Sequence, residues 1–134
     1  MDNNKVYVFR LRPGEDLRMS IEAMVKEKNI VAGWINTCVG SLTGYTIRFA
    51  NQQEGIRGSG HFEIVSLTGT VSVNGSHLHI SISDSTGKTI GGHLLEGCKI
   101  YTTAEIVIGT TTVYEFKRMK DGTTEWEELK VNEK

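Results

Sequence analysis

Residues 75–93 read Gly-Ser-His-Leu-His-Ile-Ser-Ile-Ser-Asp-Ser-Thr-Gly-Lys-Thr-Ile-Gly-Gly-His and contain three of the four histidines in the chain. Apolar and polar side chains alternate strictly from residue 76 to residue 83, which is the period of a half-buried β-strand. Leu78, Ile80 and Ile82 therefore lie on one face of this strand. His77 and His79 lie on the other face.

The turn after this strand decides where the third histidine lies. Residues 84–87, Asp-Ser-Thr-Gly, are typical of a turn, and the glycine is suited to a left-handed conformation. A four-residue loop would place His93 on the apolar face. A three-residue loop, which pairs Asp84 with Lys88, instead places His93 opposite His79 and keeps apolar residues opposite one another. We therefore predict the three-residue loop.

This register predicts a cluster of three histidines. Directly opposed residues have Cβ atoms about 5 Å apart, and same-face neighbours along a strand lie about 7 Å apart. His77, His79 and His93 can therefore direct three ring nitrogens at one point, which suits a divalent ion such as zinc with one position left for water, a carboxylate or a ligand. Gly91 and Gly92 add no side-chain bulk and allow a close approach to the backbone. The alternative is that the histidines are polar residues on a solvated or subunit-facing sheet surface.

Length and composition indicate an ordinary globular protein. The 134 residues fit one domain, residues 1–134, with a core over about residues 5–117. The net charge of −1 argues against a protein that grips nucleic acid by charge alone. Cys38 and Cys98 lie in apolar segments and are predicted to be buried free thiols. No signal region or membrane-length apolar segment occurs, so we expect a cytoplasmic protein.

A helix is predicted after a first strand at residues 5–12. Residues 13–16, Pro-Gly-Glu-Asp, end that strand, and their acidic groups suit the positive N-terminus of a helix. Asn29 is suited to a left-handed cap at the other end. The apolar stripe between them covers about three turns and consists of Leu17, Ile21, Met24 and Val25. We expect one long N-terminal helix that packs on a sheet.

The rest of the chain predicts strands joined by turns. Two strand-like segments, 30–39 and 45–50, are separated by the glycine-rich residues 40–44, which we interpret as a turn. Residues 51–60 are polar and glycine-rich and are predicted to form a mobile loop. Further strands are predicted at 61–71, 99–108, 111–119 and 126–131. The fold class is therefore α+β, with a mainly antiparallel central sheet.

Two carboxylates lie within predicted strands. Glu63 interrupts an apolar run, so it is either exposed at an edge or paired with a buried group. Glu105 is a fourth metal ligand, a hydrogen-bond partner of an imidazole, or a surface charge. The sequence leaves these alternatives open.

Several segments, taken in order, resemble the PPC (plants and prokaryotes conserved) domain family, in its stand-alone prokaryotic form without an AT-hook. The matching segments are 12–17, 40–42, 61–69, 77–84, 91–94 and 97–108. The resemblance implies an α+β domain with a central antiparallel sheet that assembles as a homotrimer. It also implies that His77, His79 and His93 match a metal site of prokaryotic members.

Three functional hypotheses follow. The first is a homotrimer that binds a divalent metal, with zinc favoured, together with a small molecule. Hydrolytic or lyase chemistry is open in this hypothesis, with Glu63 or Glu105 as base, and no catalytic residue is assigned. The second, implied by the resemblance, is a DNA-binding or transcription-associated protein. No Arg-Gly-Arg-Pro AT-hook occurs in these residues, and His61 replaces an arginine of the plant partner-binding segment. The third is a structural trimer in which the histidines only pack.

Overall fold

The computed structural model describes residues 3–134, and within this range it contains one helix and two antiparallel sheets. The strands are β1 (Asn4–Leu11), β2 (Gly33–Arg48), β3 (Ile56–Val71), β4 (His77–Ser83), β5 (Thr89–Leu94), β6 (Lys99–Thr111), β7 (Tyr114–Met119) and β8 (Glu128–Glu133), and the helix is α1 (Leu17–Glu27). The first six strands form one sheet in the order β1-β6-β2-β3-β4-β5, while β7 and β8 form a hairpin. The predicted α+β class with a mainly antiparallel sheet is confirmed.

The core lies between α1 and one face of the six-stranded sheet. Leu17, Ile21 and Val25 are the buried residues of α1. They belong to one apolar cluster with sheet residues that include Ile82 and Ile106, both completely buried. Because successive side chains of a strand point to opposite faces, the alternate residues lie on the other face, which no helix covers. We call this second surface the helix-free face.

The helix is shorter than the long helix predicted from the sequence. It has 11 residues, which is about three turns. It ends at Glu27. Asn29, just beyond the end, has a left-handed φ of 50°, and the Ile30 N–H donates to the Val25 carbonyl at 3.0 Å. The position of the apolar stripe was predicted correctly, but the three turns of this stripe make up the whole helix. This helix is not long and apolar enough to cross a membrane.

The turn predicted at residues 40–44 is wrong, because β2 continues through it as one strand of 16 residues. A side chain at Gly40 would collide with the backbone of Thr103 on β6, so this glycine allows two strands to lie close together. The β2–β3 register shifts just after Leu42, and such a bulge bends a strand without ending it. Part of the predicted mobile loop, residues 56–60, also belongs to β3.

Asp16 connects the start of α1 to the sheet. Its Oδ1 accepts a hydrogen bond from the Met19 N–H at 3.0 Å, which caps the helix at the end where the sequence predicted acidic groups. Its Oδ2 accepts from the Gly97 N–H at 2.7 Å, just before β6. Asp16 is only 8% exposed, so little water reaches its carboxylate. The N–H groups of Met19 and Gly97 therefore depend on this carboxylate as their acceptor.

Replacing Asp16 with alanine should lower the free energy of unfolding by about 2–4 kcal/mol, because it removes a helix cap and leaves a partly buried N–H without its acceptor. Urea unfolding measures the loss. Asp121→Ala is the matched control, since Asp121 accepts from the Thr123 N–H at 2.9 Å in an exposed turn. Its loss should be clearly smaller, and equal losses would contradict this role of Asp16.

Candidate metal centre

The β4–β5 hairpin has the predicted register. His79 is paired with His93 across the two strands. The Asp84 N–H donates to the Lys88 carbonyl at 2.9 Å, and Gly87 has a left-handed φ of 85°. The three-residue loop is therefore confirmed.

The three histidines meet on the helix-free face. The Nε2 atoms of His77 and His79 are 3.1 Å apart. The ring centroid of His93 lies 5.4 Å from that of His77 and 5.8 Å from that of His79. One nitrogen from each ring lies within 4.8 Å of the other two. Nitrogens bound to a tetrahedral zinc ion are about 3.4 Å apart, and the His77–His79 separation is close to this value.

The environment of His77 and His93 favours their neutral imidazoles. Burial lowers the pKa of His77, and the neighbouring His79 lowers it further. Burial is also the largest cause that lowers the pKa of His93 to about 4, and the Arg48 charge is the next. Within residues 3–134, the buried Nδ1 of His93 has no hydrogen-bond partner. Neutral rings and an unpartnered buried nitrogen fit a set of ligands for a divalent metal.

The glycines beside His93 allow strands to pack closely. A Cβ on Gly92 would collide with the carbonyl of Arg48 on β2, and one on Gly91 would lie 2.6 Å from the carbonyl of Ile80 on β4. Strand β5 pairs with both of these strands. The close approach predicted at these glycines is therefore made by neighbouring backbone, and this packing fixes the position of His93.

Neither carboxylate considered in the sequence lies with the histidines. Within the described range, the group of close ligand atoms consists of the three imidazoles. Glu63 is paired with Ser83, which is about 13 Å along β4 from His79. Glu105 lies on β6, with β2 and β3 between it and β4. Its carboxylate accepts from the Thr103 hydroxyl at 3.3 Å, and both glutamates are exposed.

The fourth histidine and the cysteines lie apart from the cluster. His61 packs on Tyr101, with ring centroids 4.6 Å apart. Cys38 and Cys98 are buried free thiols, as predicted. Burial raises the pKa of Cys38 to about 12 and that of Cys98 to about 11. Both thiols are therefore protonated at neutral pH.

A cleft of about 790 Å³ opens beside the histidines. The β7–β8 hairpin forms one wall, since the Phe116 N–H donates to the Val31 carbonyl at 2.8 Å and Arg118 Nη2 donates to Thr70 Oγ1 at 2.9 Å. Thr70 is the strand partner of His77, so Arg118 lies next to the cluster. The charged and histidine residues that line the cleft are two histidines, four cations and three glutamates: His77, His93, Arg18, Arg48, Arg118, Lys120, Glu125, Glu127 and Glu128.

The sequence analysis missed the contribution of the hairpin to this cleft. Burial lowers the pKa of Arg118, and the Glu128 carboxylate opposes that shift. A signal was present in the alternation of β7, since Phe116 and Arg118 share a face. An arginine on the apolar side of a strand indicates an inward-pointing charge. The surface that the hairpin covers is set by contacts with residues far away in the sequence, so the position of the hairpin could not be predicted.

Comparison with known proteins identifies the family. Residues 1–112 match the Plants and Prokaryotes Conserved (PCC) domain, so the chain belongs to this family, as its motifs predict. It is 42% identical over 127 residues to the bifunctional protein GlmU of Synechococcus sp. strain JA-3-3Ab, a match that covers 95% of this chain and 20% of the relative. The chain thus spans about a fifth of the length of that curated relative.

Solved structures share the fold. A hypothetical protein from Salmonella cholerae-suis is 36% identical with a TM-score of 0.95, covering 97% of this chain and 94% of that one. A protein from Archaeoglobus fulgidus that is named metal-containing is 26% identical with a TM-score of 0.79, covering 94% and 93%. Two further structures, named as candidate DNA-binding proteins, are 24% and 21% identical. This likeness shows the fold alone.

The metal-free protein should lose stability as the pH falls below 6.5. The pKa of His93 is lowered from 6.5 to about 4 in the folded state, so between these values only the unfolded chain takes up this proton. The free energy of unfolding therefore rises with pH across this window and falls as the pH drops through it. His93 is partly exposed, so solvent reduces the size of the effect.

Urea unfolding in the presence of a chelator, at pH values from 4 to 7, measures this dependence. His93→Gln should flatten the profile, whereas His61→Gln should leave it unchanged. A His93→Gln profile as steep as that of the wild type would contradict the assignment.

Proposed function

We propose that the protein binds a divalent metal ion, zinc, through His77, His79 and His93, with one coordination position open to a ligand. The observation behind this proposal is the convergence of three ring nitrogens within 4.8 Å on paired strands. Such strands hold the rings rigidly, and neutral imidazole is a preferred ligand of zinc. The metal-containing relative from Archaeoglobus fulgidus supports metal binding in this fold.

The residues of the chain hold and surround the metal position. Strand pairing orients His79 against His93, and the cationic cleft lies beside both rings of His77 and His93. A zinc ion held by three imidazoles supplies a Lewis acid whose bound water has a pKa of about 7. The role proposed here is metal and small-ligand binding, and no residue is assigned as a catalytic base.

Zinc content should depend on the cluster. After incubation with zinc and desalting, the wild type should retain close to one zinc ion per chain by elemental analysis. His79→Ala should retain little, because two remaining imidazoles form a much weaker site. His61→Ala is the matched control, since His61 packs on Tyr101, and it should retain as much zinc as the wild type. A wild type without zinc, or equal retention in the two variants, would refute the proposal.

We further propose that the protein acts as a homotrimer. An apolar group on the helix-free face supports this: Val6, Val8 and Val39 are 58%, 73% and 57% exposed. Val8 is paired with Val107, so the group continues from the edge strand β1 onto β6. An exposed apolar surface of this kind marks an interface.

Val8→Glu should convert the trimer to a monomer in analytical ultracentrifugation, because it would bury an unpaired charge at the interface. Val131→Glu makes the same change on the β7–β8 hairpin, where Val131 is 52% exposed, and should leave the trimer intact. A wild type that sediments as a monomer would contradict the trimer.

DNA binding is the alternative function. It has less support, because the neighbours named for it show only the fold and the net charge is −1. A protein that binds duplex DNA by phosphate contacts needs a basic surface. Four cations line the cleft, so duplex DNA belongs among the probes used to test them.

A further inference from the structure

We propose that the cleft beside the histidines binds a small molecule by its oxyanion group, a carboxylate or a phosphate, and that the β7–β8 hairpin determines which molecules are accepted. The inference builds on the proposed metal site, because the same ligand would reach the open coordination position. The cations of the cleft, the environment of Arg118 and the placement of the hairpin support it.

The cations of the cleft are incompletely neutralised. Arg18 forms an ion pair with Glu22 at 3.0 Å. Within the part of the chain that the structure describes, no carboxylate oxygen lies within 4.0 Å of the charged nitrogens of Arg48, Arg118 or Lys120. Three cations without a paired carboxylate around one cleft favour an anionic ligand.

Arg118 has a buried donor without an acceptor. Its Nη2 donates to Thr70 Oγ1 at 2.9 Å, but its buried Nε has no hydrogen-bond partner in residues 3–134. A buried unsatisfied donor on a charged group is unfavourable. The guanidinium group of Arg118 lines the cleft, and such a group binds the carboxylate or phosphate of a ligand through two parallel hydrogen bonds.

The backbone beneath Arg118 is shaped for this side chain. A Cβ on Gly75 would lie 2.9 Å from the Arg118 Cγ, so glycine lets the arginine lie across the β3–β4 connection. The connection leads directly into His77, the first residue of β4. The guanidinium group is thereby held beside the cluster.

Arg48 places a second cation at the cleft. It is the strand partner of His93. Its Nη1 donates to the Gln52 carbonyl at 3.1 Å, and its Cζ lies 5.9 Å from the ring centroid of Trp126. These contacts hold the charge beside the cluster. The ring of Trp126, a residue that is 57% exposed, provides a flat apolar surface at the cleft.

The hairpin also brings acidic groups to the cleft. Glu125, Glu127 and Glu128 are among its lining residues. Glu128 is held by the Thr124 hydroxyl, which donates to its Oε2 at 2.6 Å, and the other two are exposed. Carboxylates on this wall repel a second anionic group, so they select ligands whose negative end lies at the arginines.

The hairpin lies beyond the part of the chain that matches the family. The match ends at residue 112, and the hairpin begins at Tyr114. The histidines come from the matched part, whereas Arg118, Trp126 and the acidic wall come from the hairpin. The hairpin thus supplies most of the charged side chains that a ligand would meet at this wall. For this reason the hairpin determines which ligands are accepted.

Calorimetric titration of zinc-loaded protein tests the inference, with inorganic phosphate, succinate and a duplex oligonucleotide as probes. Arg118→Gln should weaken the binding of phosphate or succinate at least about tenfold, because it removes a charge-assisted contact, and should retain as much zinc as the wild type. Arg48→Gln should act in the same direction. Lys117→Gln is the matched control, since Lys117 points to the other face of β7 and lies 3.8 Å from Glu115.

Three results would overturn the inference. In the first, the wild type binds neither phosphate nor succinate. In the second, Arg118→Gln and Lys117→Gln bind these anions with equal affinity, and in the third the wild type binds the duplex but neither small anion. Failure of the metal site is separable from failure of the anion site. If no zinc is retained but the metal-free protein binds a small anion in an Arg118-dependent way, the metal proposal falls and the anion site stands.

Discussion

The register of β4 between its two neighbours is the constraint on which the rest of the structure depends. A shift of one residue would send every side chain of β4 to the opposite face. It would place Leu78, Ile80 and Ile82 in solvent and the imidazoles of His77 and His79 in the apolar core. The observed pairing of His79 with His93 and with Thr68 on β3 excludes this arrangement. The register of β4 therefore determines both the packing of the core and the position of the histidine cluster.

The same register places His77 and His93 where protonation is unfavourable. His77 and His79 have Nε2 atoms 3.1 Å apart, and two positive rings at this distance would repel each other. Arg48 adds a positive charge next to His93. Burial is the largest cause that favours the neutral form of His77 and of His93, and the nearby positive charges act in the same direction. Neutral rings are the form in which histidine binds metals.

Features set by local sequence could be predicted. The hairpin loop and its three histidines follow from alternation and from one turn, and the cap at Asn29 follows from one residue. The glycines were ambiguous, because glycine serves both turns and close strand contacts. Gly40 lies under the backbone of Thr103, more than sixty residues away. The positions of Glu63 and Glu105 depend on strand order, which neither alternation nor turn length determines.

The two parts of the site differ in the same way: local contacts position the histidines, and remote contacts position Arg118. The histidines are positioned by a seven-residue strand and its hairpin partner. Arg118 reaches them through a contact with Thr70, 48 residues earlier in the chain. Changes in the hairpin can therefore alter the charge and shape of the cleft without disturbing the strands that position the imidazoles. One scaffold in this way keeps the histidine cluster constant while the cleft beside it varies, which is how rigid sheets with variable connections commonly diversify function.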